Sequence, residues 1–238
     1  MNDEEKIKHE LTARLTEMRW QLDEMNALAA GAGRDKAQTS EARFQRLFEI
    51  AQAVSDLVEM MEPYKKGHHR RVADLAGAIA TAMNLPMERI RGIRLAGVIH
   101  DIGKISIRAE LLNKPRKLTD SEFQLMKTHI QAGYDLLKEM PFPWPVARMI
   151  REHHERMDGS GYPFGLTGEQ VLQDSRILAV ADVVNAIASQ RTYRPAFSVE
   201  TALYDITGNR GILYDADAVN ACLKLFNEEG YQLPDIDD

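Results

Sequence analysis

His100-Asp101-Ile102-Gly103-Lys104 closes the most apolar stretch in the middle of the chain. The segment from Ile90 to Ile99 carries Ile90, Ile93, Ala96 and Ile99 at helical spacing, so it reads as a helix with one face in a core. His100 and Asp101 fall at the end of that face. An imidazole and an ionised carboxylate side by side there cost several kcal/mol unless something pairs with them, roughly the penalty of an uncompensated buried charge. A divalent metal suits both. On its own the pair is also what any helix ending in two polar residues looks like, so the rest of the chain decides.

Upstream, Pro86 suits the first turn of this helix, and Gly103 suits a left-handed cap after it. After Gly67, the residues His68, Val72, Leu75, Ile79 and Met83 share one stripe. His68 therefore points inward, and His69, one position on, is expected to point away. An earlier helix is predicted from Ser40, a suitable N-cap, to Met61, with Phe44, Leu47, Phe48, Ala51, Val54 and Val58 on its apolar face and Pro63 ending it. Before that, Ile7, Leu11, Leu15, Met18, Leu22, Met25 and Ala29 form a heptad seam of about three repeats. The seam either zips two chains together or lies on its own domain. Gly31-Ala32-Gly33 and the polar run to Ser40 read as a helix stop and a linker.

Downstream, Thr119 and Glu122 have capping-box spacing ahead of Phe123, Met126, Ile130, Gly133 and Leu137, with His129 in or beside that apolar sector. Pro145 suits the start of a helix that ends in His153-His154-Glu155. Asp158-Gly159-Ser160-Gly161-Tyr162-Pro163 is turn chemistry throughout, although an aromatic held on such a loop beside two histidines could also stack on a planar ligand. Asp182 interrupts an apolar helix, Ile177 to Val184, and either faces solvent or has a buried partner. Helices capped by Ser198 and Asp215 complete the chain. No alternating strand pattern appears, and the fold class is all-α.

The 238 residues suffice for one sizeable core plus an appendage, and 44% hydrophobic with 28% charged residues is a globular balance. A net charge of −6 offers polyanions no general attraction, so no nucleic-acid polymer is expected as a partner and any anionic ligand needs a local site. Cys222 is the single cysteine, which fits a reducing compartment. No secretory signal or membrane-spanning stretch is seen, and a cytoplasmic location is expected.

Collected together, His68, His100, Asp101, His129, His153, His154 and Asp182 each lie on or at the end of a core-facing helix and include five of seven histidines. They are too many ligands for one ion of about four to six coordination, but they fit two ions with Asp101 bridging. A nitrogen and oxygen set without thiolate suits iron, manganese, cobalt, nickel or zinc. Two adjacent metals activate a water and clamp a phosphate ester, and Lys104 could place a cation on the same phosphate.

His100-Asp101 with the flanking histidines and Asp182 resembles the HD superfamily of metal-dependent phosphohydrolases. His100 to Lys104, His153-His154-Glu155, Asp158 to Pro163, Lys114-Pro115 and Arg191-Thr192-Tyr193-Arg194-Pro195 look like its HD-GYP group. The resemblance implies a helical bundle that binds two divalent metals, iron or manganese, and uses a bridging hydroxide to hydrolyse cyclic di-GMP to linear pGpG and on to GMP in bacterial signalling. One metal would be held by His68, His100, Asp101 and Asp182, the other by Asp101, His129, His153 and His154. Asp101 and Lys104 would be catalytic, with Lys104 also on the scissile phosphate. Tyr162 would line the substrate pocket, and Arg191 and Arg194 would meet the second phosphate or a guanine. Bidentate arginine contacts suit those last two.

Departures from the family are few. Three-metal members carry a glutamate where this chain has Tyr64, so two metals are expected. Asn185 replaces an acid near Asp182, with an effect on tuning at most, and Arg108 replaces a proline. Residues 1 to 62 are expected to be a helical, coiled-coil-like extension driving a hydrolase domain over 63 to 238, pairing two chains or meeting a partner signalling protein. Competing readings are an HD-GYP hydrolase of another cyclic dinucleotide such as 3',3'-cyclic GMP-AMP, a nucleotide- or protein-binding module without turnover, and a bundle whose buried histidines are satisfied by hydrogen bonds.

Overall fold

Apolar residues at three- and four-residue spacing become helices wherever no breaker intervenes, and the chain follows that rule almost throughout. The computed structural model describes residues 3–29, 36–62, 65–189 and 196–234. Ten α-helices run in chain order among the described residues: α1 (Asp3–Ala29), α2 (Lys36–Glu59), α3 (His68–Ala82), α4 (Met87–Ile99), α5 (Ala109–Leu112), α6 (Asp120–Leu137), α7 (Val146–Glu152), α8 (Gln173–Ala188), α9 (Val199–Gly208) and α10 (Ala216–Asn227). Among the described residues there is no strand, only isolated bridges at Asp158 with Thr167 and Arg210 with Tyr214. No described helix is long and apolar enough to cross a membrane.

The core is built on α3, which packs against α4, α8 and α10. Small residues let α3 and α4 approach: a Cβ on Gly97 would lie 2.7 Å from Ala73 Cα. Ile93, Ala96 and Ile99 of α4 are buried there, together with Val72, Leu75 and Ile79 of α3. The expected caps form. Thr119 Oγ1 accepts from the Glu122 amide while the Glu122 carboxylate accepts from the Thr119 amide, and the Asp215 carboxylate accepts from the amides of Asp217 and Ala218.

The N-terminal helices lie against this unit. Leu11, Met18 and Leu22 of the α1 seam are buried, and α1 packs on α2 of the same chain. Asn26 Nδ2 donates to the Pro141 carbonyl at 2.7 Å, and Phe44 of α2 meets Trp144 edge-on at 5.9 Å. The core is therefore continuous from α1 to α10.

Two expectations are corrected. Helix α2 begins at Lys36, not Ser40, because nothing between Gly33 and Ser40 breaks a helix and Lys, Ala and Gln favour one. Gly103 is not a left-handed cap. Helix α4 stops at Ile99, and Gly103 sits within a short 3-10 turn over Ile102–Ser106. Its missing side chain serves close packing instead: a Cβ there would fall 1.9 Å from the His129 carbonyl oxygen on α6. The predicted end at Pro63 and the substitution at Tyr64 lie outside the described residues.

Candidate metal centre

Five histidines reach one point from four helices or their ends. His68 opens α3, His100 caps the end of α4, His129 lies on α6, and His153 and His154 follow α7. Asp182 comes from the middle of α8. Asp101 is buried and central, with its two oxygens facing different groups. Oδ2 lies 3.5 Å from His100 Nε2, and Oδ1 lies 3.5 Å from His129 Nε2. One set of possible ligand atoms within 4.8 Å of one another comprises Asp101, His129, His153 and His154; another comprises His68, His69, His100 and Asp101. Asp182 joins His100 and His153 in a third set, and its Oδ1 is 3.3 Å from His68 Nε2, so of the two alternatives left open for it the buried partner is the one found.

The imidazoles are oriented from behind. The Nδ1 atoms of His100, His129 and His153 donate to the carbonyls of Gly97, Met126 and Ile150 at 2.8, 2.6 and 2.7 Å. A carbonyl oxygen only accepts, so in each neutral ring Nδ1 holds the proton and Nε2 keeps a lone pair directed inward. His68 Nδ1 lies 2.6 Å from Asn185 Oδ1 in the same sense. Asn185 thus sets the orientation of one imidazole.

Burial pushes His68, His129 and His153 down to about 4 and His100 down to about 3, so these rings are neutral. Burial opposes ionisation of Asp101, but the ammonium charges of Lys104 and Lys65 outweigh it and hold the carboxyl well below the usual range. The Asp182 carboxyl is likewise held well below the usual range, with His68 Nε2 against its Oδ1. Lys104 is buried, with Nζ 2.5 Å from Asp101 Oδ2 and 3.2 Å from Glu62 Oε2. These carboxylates overcome the desolvation of its ammonium and raise its pKa.

The buried Nε2 atoms of His129 and His153 have no hydrogen-bond partner. Buried lone pairs converging on an ionised carboxylate are an uncompensated polar cluster unless a cation lies among them. The donor set, imidazole nitrogen and carboxylate oxygen with no thiolate, is that of a divalent transition-metal centre. The residues fit such ions.

A cavity of about 460 Å³ opens over the centre, within the size range of small-molecule sites. Asp101, His129, His154 and Asp182 reach its floor. Its wall is aromatic: the Tyr162 ring lies 4.8 Å from that of His154 and meets Phe123 edge-on at 5.9 Å. Lys114, Arg116 and Lys117 line the rim, the first two ion-paired to Glu122. The Glu155 carboxylate accepts from the amides of Phe164 and Leu166 at 2.7 and 3.0 Å, which pins the loop carrying Tyr162. Arg191 and Arg194 lie outside the described residues.

His69 overturns an expectation. It is buried, not turned outward, and its Nε2 lies 3.5 Å from Asp101 Oδ2. A helix stripe predicts one inward face, but the first turn of α3 is enclosed on a second side by the end of α2. Sequence reasoning also passed over Ser55, Glu59 and Glu62, which α2 and the following turn bring to the centre. Glu59 and Glu62 near a helix end carried a faint signal as acids beside apolar Val58 and Met61; Ser55 carried none.

An HD domain family model matches residues 52–218. The cyclic di-GMP phosphodiesterase response regulator RpfG of Xanthomonas campestris pv. campestris (strain 8004) is 42% identical over 156 residues, 65% of this chain and 41% of that protein. A 3'3'-cGAMP-specific phosphodiesterase 3 from Vibrio cholerae serotype O1 is 33% identical over 193 residues, 79% of this chain and 42% of that protein. The chain thus spans about two fifths of the length of either relative. Among solved structures, Bd1817, a HDG"Y"P protein from Bdellovibrio bacteriovorus, superposes with a TM-score of 0.59 at 12% identity, over 92% of this chain and 72% of that one. The chain belongs to the HD-domain family, and its Gly161-Tyr162-Pro163 loop marks the HD-GYP group within it.

Proposed function

We propose that this protein hydrolyses cyclic di-GMP, opening its 3'-5' phosphodiester bonds to give linear pGpG and then GMP. The observation that carries this reading is Asp101, whose two oxygens face separate histidine groups on the floor of a cavity with an aromatic wall and a cationic rim. Two divalent cations held there by His68, His100, Asp101, His129, His153, His154 and Asp182, most suitably iron or manganese, supply Lewis-acid polarisation of the phosphate and an activated water.

The chain's own residues do the rest. Asp101, whose two oxygens face separate histidine groups, would be a ligand shared by both cations. Lys104, an ammonium kept protonated by Asp101 and Glu62, is placed to balance charge on the scissile phosphate. Tyr162 offers an aromatic face to a guanine, and Phe123 limits where that base lies. Lys114, Arg116 and Lys117 draw a dianionic ligand into a chain whose net charge is negative. Arg191 and Arg194 are assigned the second phosphate or a guanine edge on the strength of their motif.

The relative named for cyclic di-GMP has the higher identity, which favours that substrate; the one named for 3'3'-cGAMP keeps the hybrid dinucleotide as the second reading. We also infer a cytoplasmic setting, and that residues 1–62 act as a helical input element for a catalytic unit over 63–238, with pairing to a second chain or a signalling partner. The end of α2 supports coupling to the site: Ser55 and Glu59 contact His69, and Glu62 contacts Lys104.

The test is anaerobic assay of the full chain, loaded with ferrous iron or manganese, against cyclic di-GMP and 3'3'-cGAMP, with products separated by chromatography. Linear product from the wild type and none from Asp101→Ala supports the mechanism. Cation and nucleotide binding without product from either ion would replace the enzyme by a binding module.

A further inference from the structure

We propose that His69 is itself a metal ligand, through Nε2, to the cation held by His68, His100 and Asp101. This rests on the metal-centre reading above and adds a residue that the family resemblance does not assign to the centre.

The side chain is buried, and its Nε2 has no hydrogen-bond partner. That atom is directed at Asp101 Oδ2, 3.5 Å away, on the same oxygen that faces His100 Nε2 at 3.5 Å. Ligand atoms of His68, His69, His100 and Asp101 all lie within 4.8 Å of one another. The His69 ring centroid is 5.4 Å from that of His68 and 5.1 Å from that of His100, so the three imidazoles surround one point.

The back of the ring is held as metal-bound histidines are held. Nδ1 lies 2.6 Å from Ser55 Oγ and 3.3 Å from Glu59 Oε1. The same carboxylate accepts from the Gly67 amide at 2.6 Å and the His69 amide at 3.0 Å, so Glu59 both ends the turn into α3 and fixes His69. A carboxylate on Nδ1 with a free Nε2 on the far side is the arrangement that orients a ligating imidazole and raises its basicity.

The chemical consequence concerns which ion is held. Three imidazoles and a carboxylate form a nitrogen-rich set, which favours iron, cobalt, nickel or zinc over magnesium or manganese. The set around His129, His153 and His154 shares Asp101 but not His69, so the change touches one of the two cations.

The experiment titrates the full chain, stripped by chelator, with cobalt(II), reading the visible ligand-field bands and the competition with a chromophoric chelator. His69→Asn keeps a polar group where Nδ1 meets Ser55 and removes Nε2. His69→Gln restores an oxygen near the Nε2 position. We expect the wild type to bind two cobalt ions, His69→Asn to bind one of them at least about tenfold more weakly with altered bands, and His69→Gln to fall between. Wild-type affinities and bands in His69→Asn overturn the ligand role while leaving the metal centre intact. If the wild type binds no cobalt, the metal-centre reading itself fails, and the His69 proposal with it. If His69→Asn does not fold by circular dichroism, Ser55→Ala decides: weaker cobalt binding supports the role, and unchanged binding overturns it.

Discussion

A single hydrogen bond behind a ligand decides how it is presented. Asn185 touches His68 at Nδ1 and leaves Nε2 toward Asp182. Asn185→Ala is expected to lower the affinity for one cation by about ten- to a hundredfold with little loss of fold, checked by chelator competition against thermal melting. The buried imidazoles also set a pH dependence. His68, His129 and His153 lie near 4 and His100 near 3 when folded, against 6.5 when exposed. Between those values the unfolded chain binds more protons. Stability of the metal-free protein therefore rises with pH through the window and falls as pH drops from about 6.5 toward about 4, by up to about 1.4 kcal/mol per pH unit for each histidine. Melting midpoints of chelated protein that stay flat over that range would contradict the neutral, buried assignment.

Helix contacts place these residues. The 3-10 turn after α4 can rest on α6 only because Gly103 has no side chain to meet the His129 carbonyl. Gly103→Ala should cost about 3 kcal/mol, an overpacking penalty taken by backbone, and should also disturb the cations on His129; urea unfolding and cobalt titration read the two effects. The sequence showed that a glycine was needed after His100-Asp101, but it suggested a left-handed cap. What decides the matter is α6 lying across the turn, which no local pattern contains. His69 teaches the same lesson from the other side. Periodicity marked His68 because it shares a stripe with Val72, Leu75 and Ile79, whereas His69 is buried by the end of α2, which packs over the first turn of α3.

At the scale of the whole molecule, α1 and α2 share the core of the family domain, and the family match itself begins within α2. Met18 is fully buried with its α1 neighbours against α2. Met18→Ala should therefore destabilise the chain by about 2 to 5 kcal/mol, with a melting midpoint that does not depend on protein concentration. A midpoint that rises with concentration would mean that the seam is completed by a second chain. Ser55 and Glu59 of α2, and Glu62 in the turn after it, join the N-terminal pair to the candidate metal centre by direct side-chain contact.

The sequence by itself determined the helical class, the capping box at Thr119 and Glu122 and the residue types that a metal site needs, because helical periodicity and spaced His-Asp motifs are local properties. It also marked His68 as inward-facing and Asp182 as either facing solvent or having a buried partner. Tertiary structure decided which imidazole faces which oxygen of Asp101, that Asn185 stands behind His68, that Gly103 serves close approach, and that His69 is buried beside Asp101. Those are contacts between helices far apart in sequence. A repeat of 3.6 residues orients a side chain only about its own axis, and packing supplies the rest.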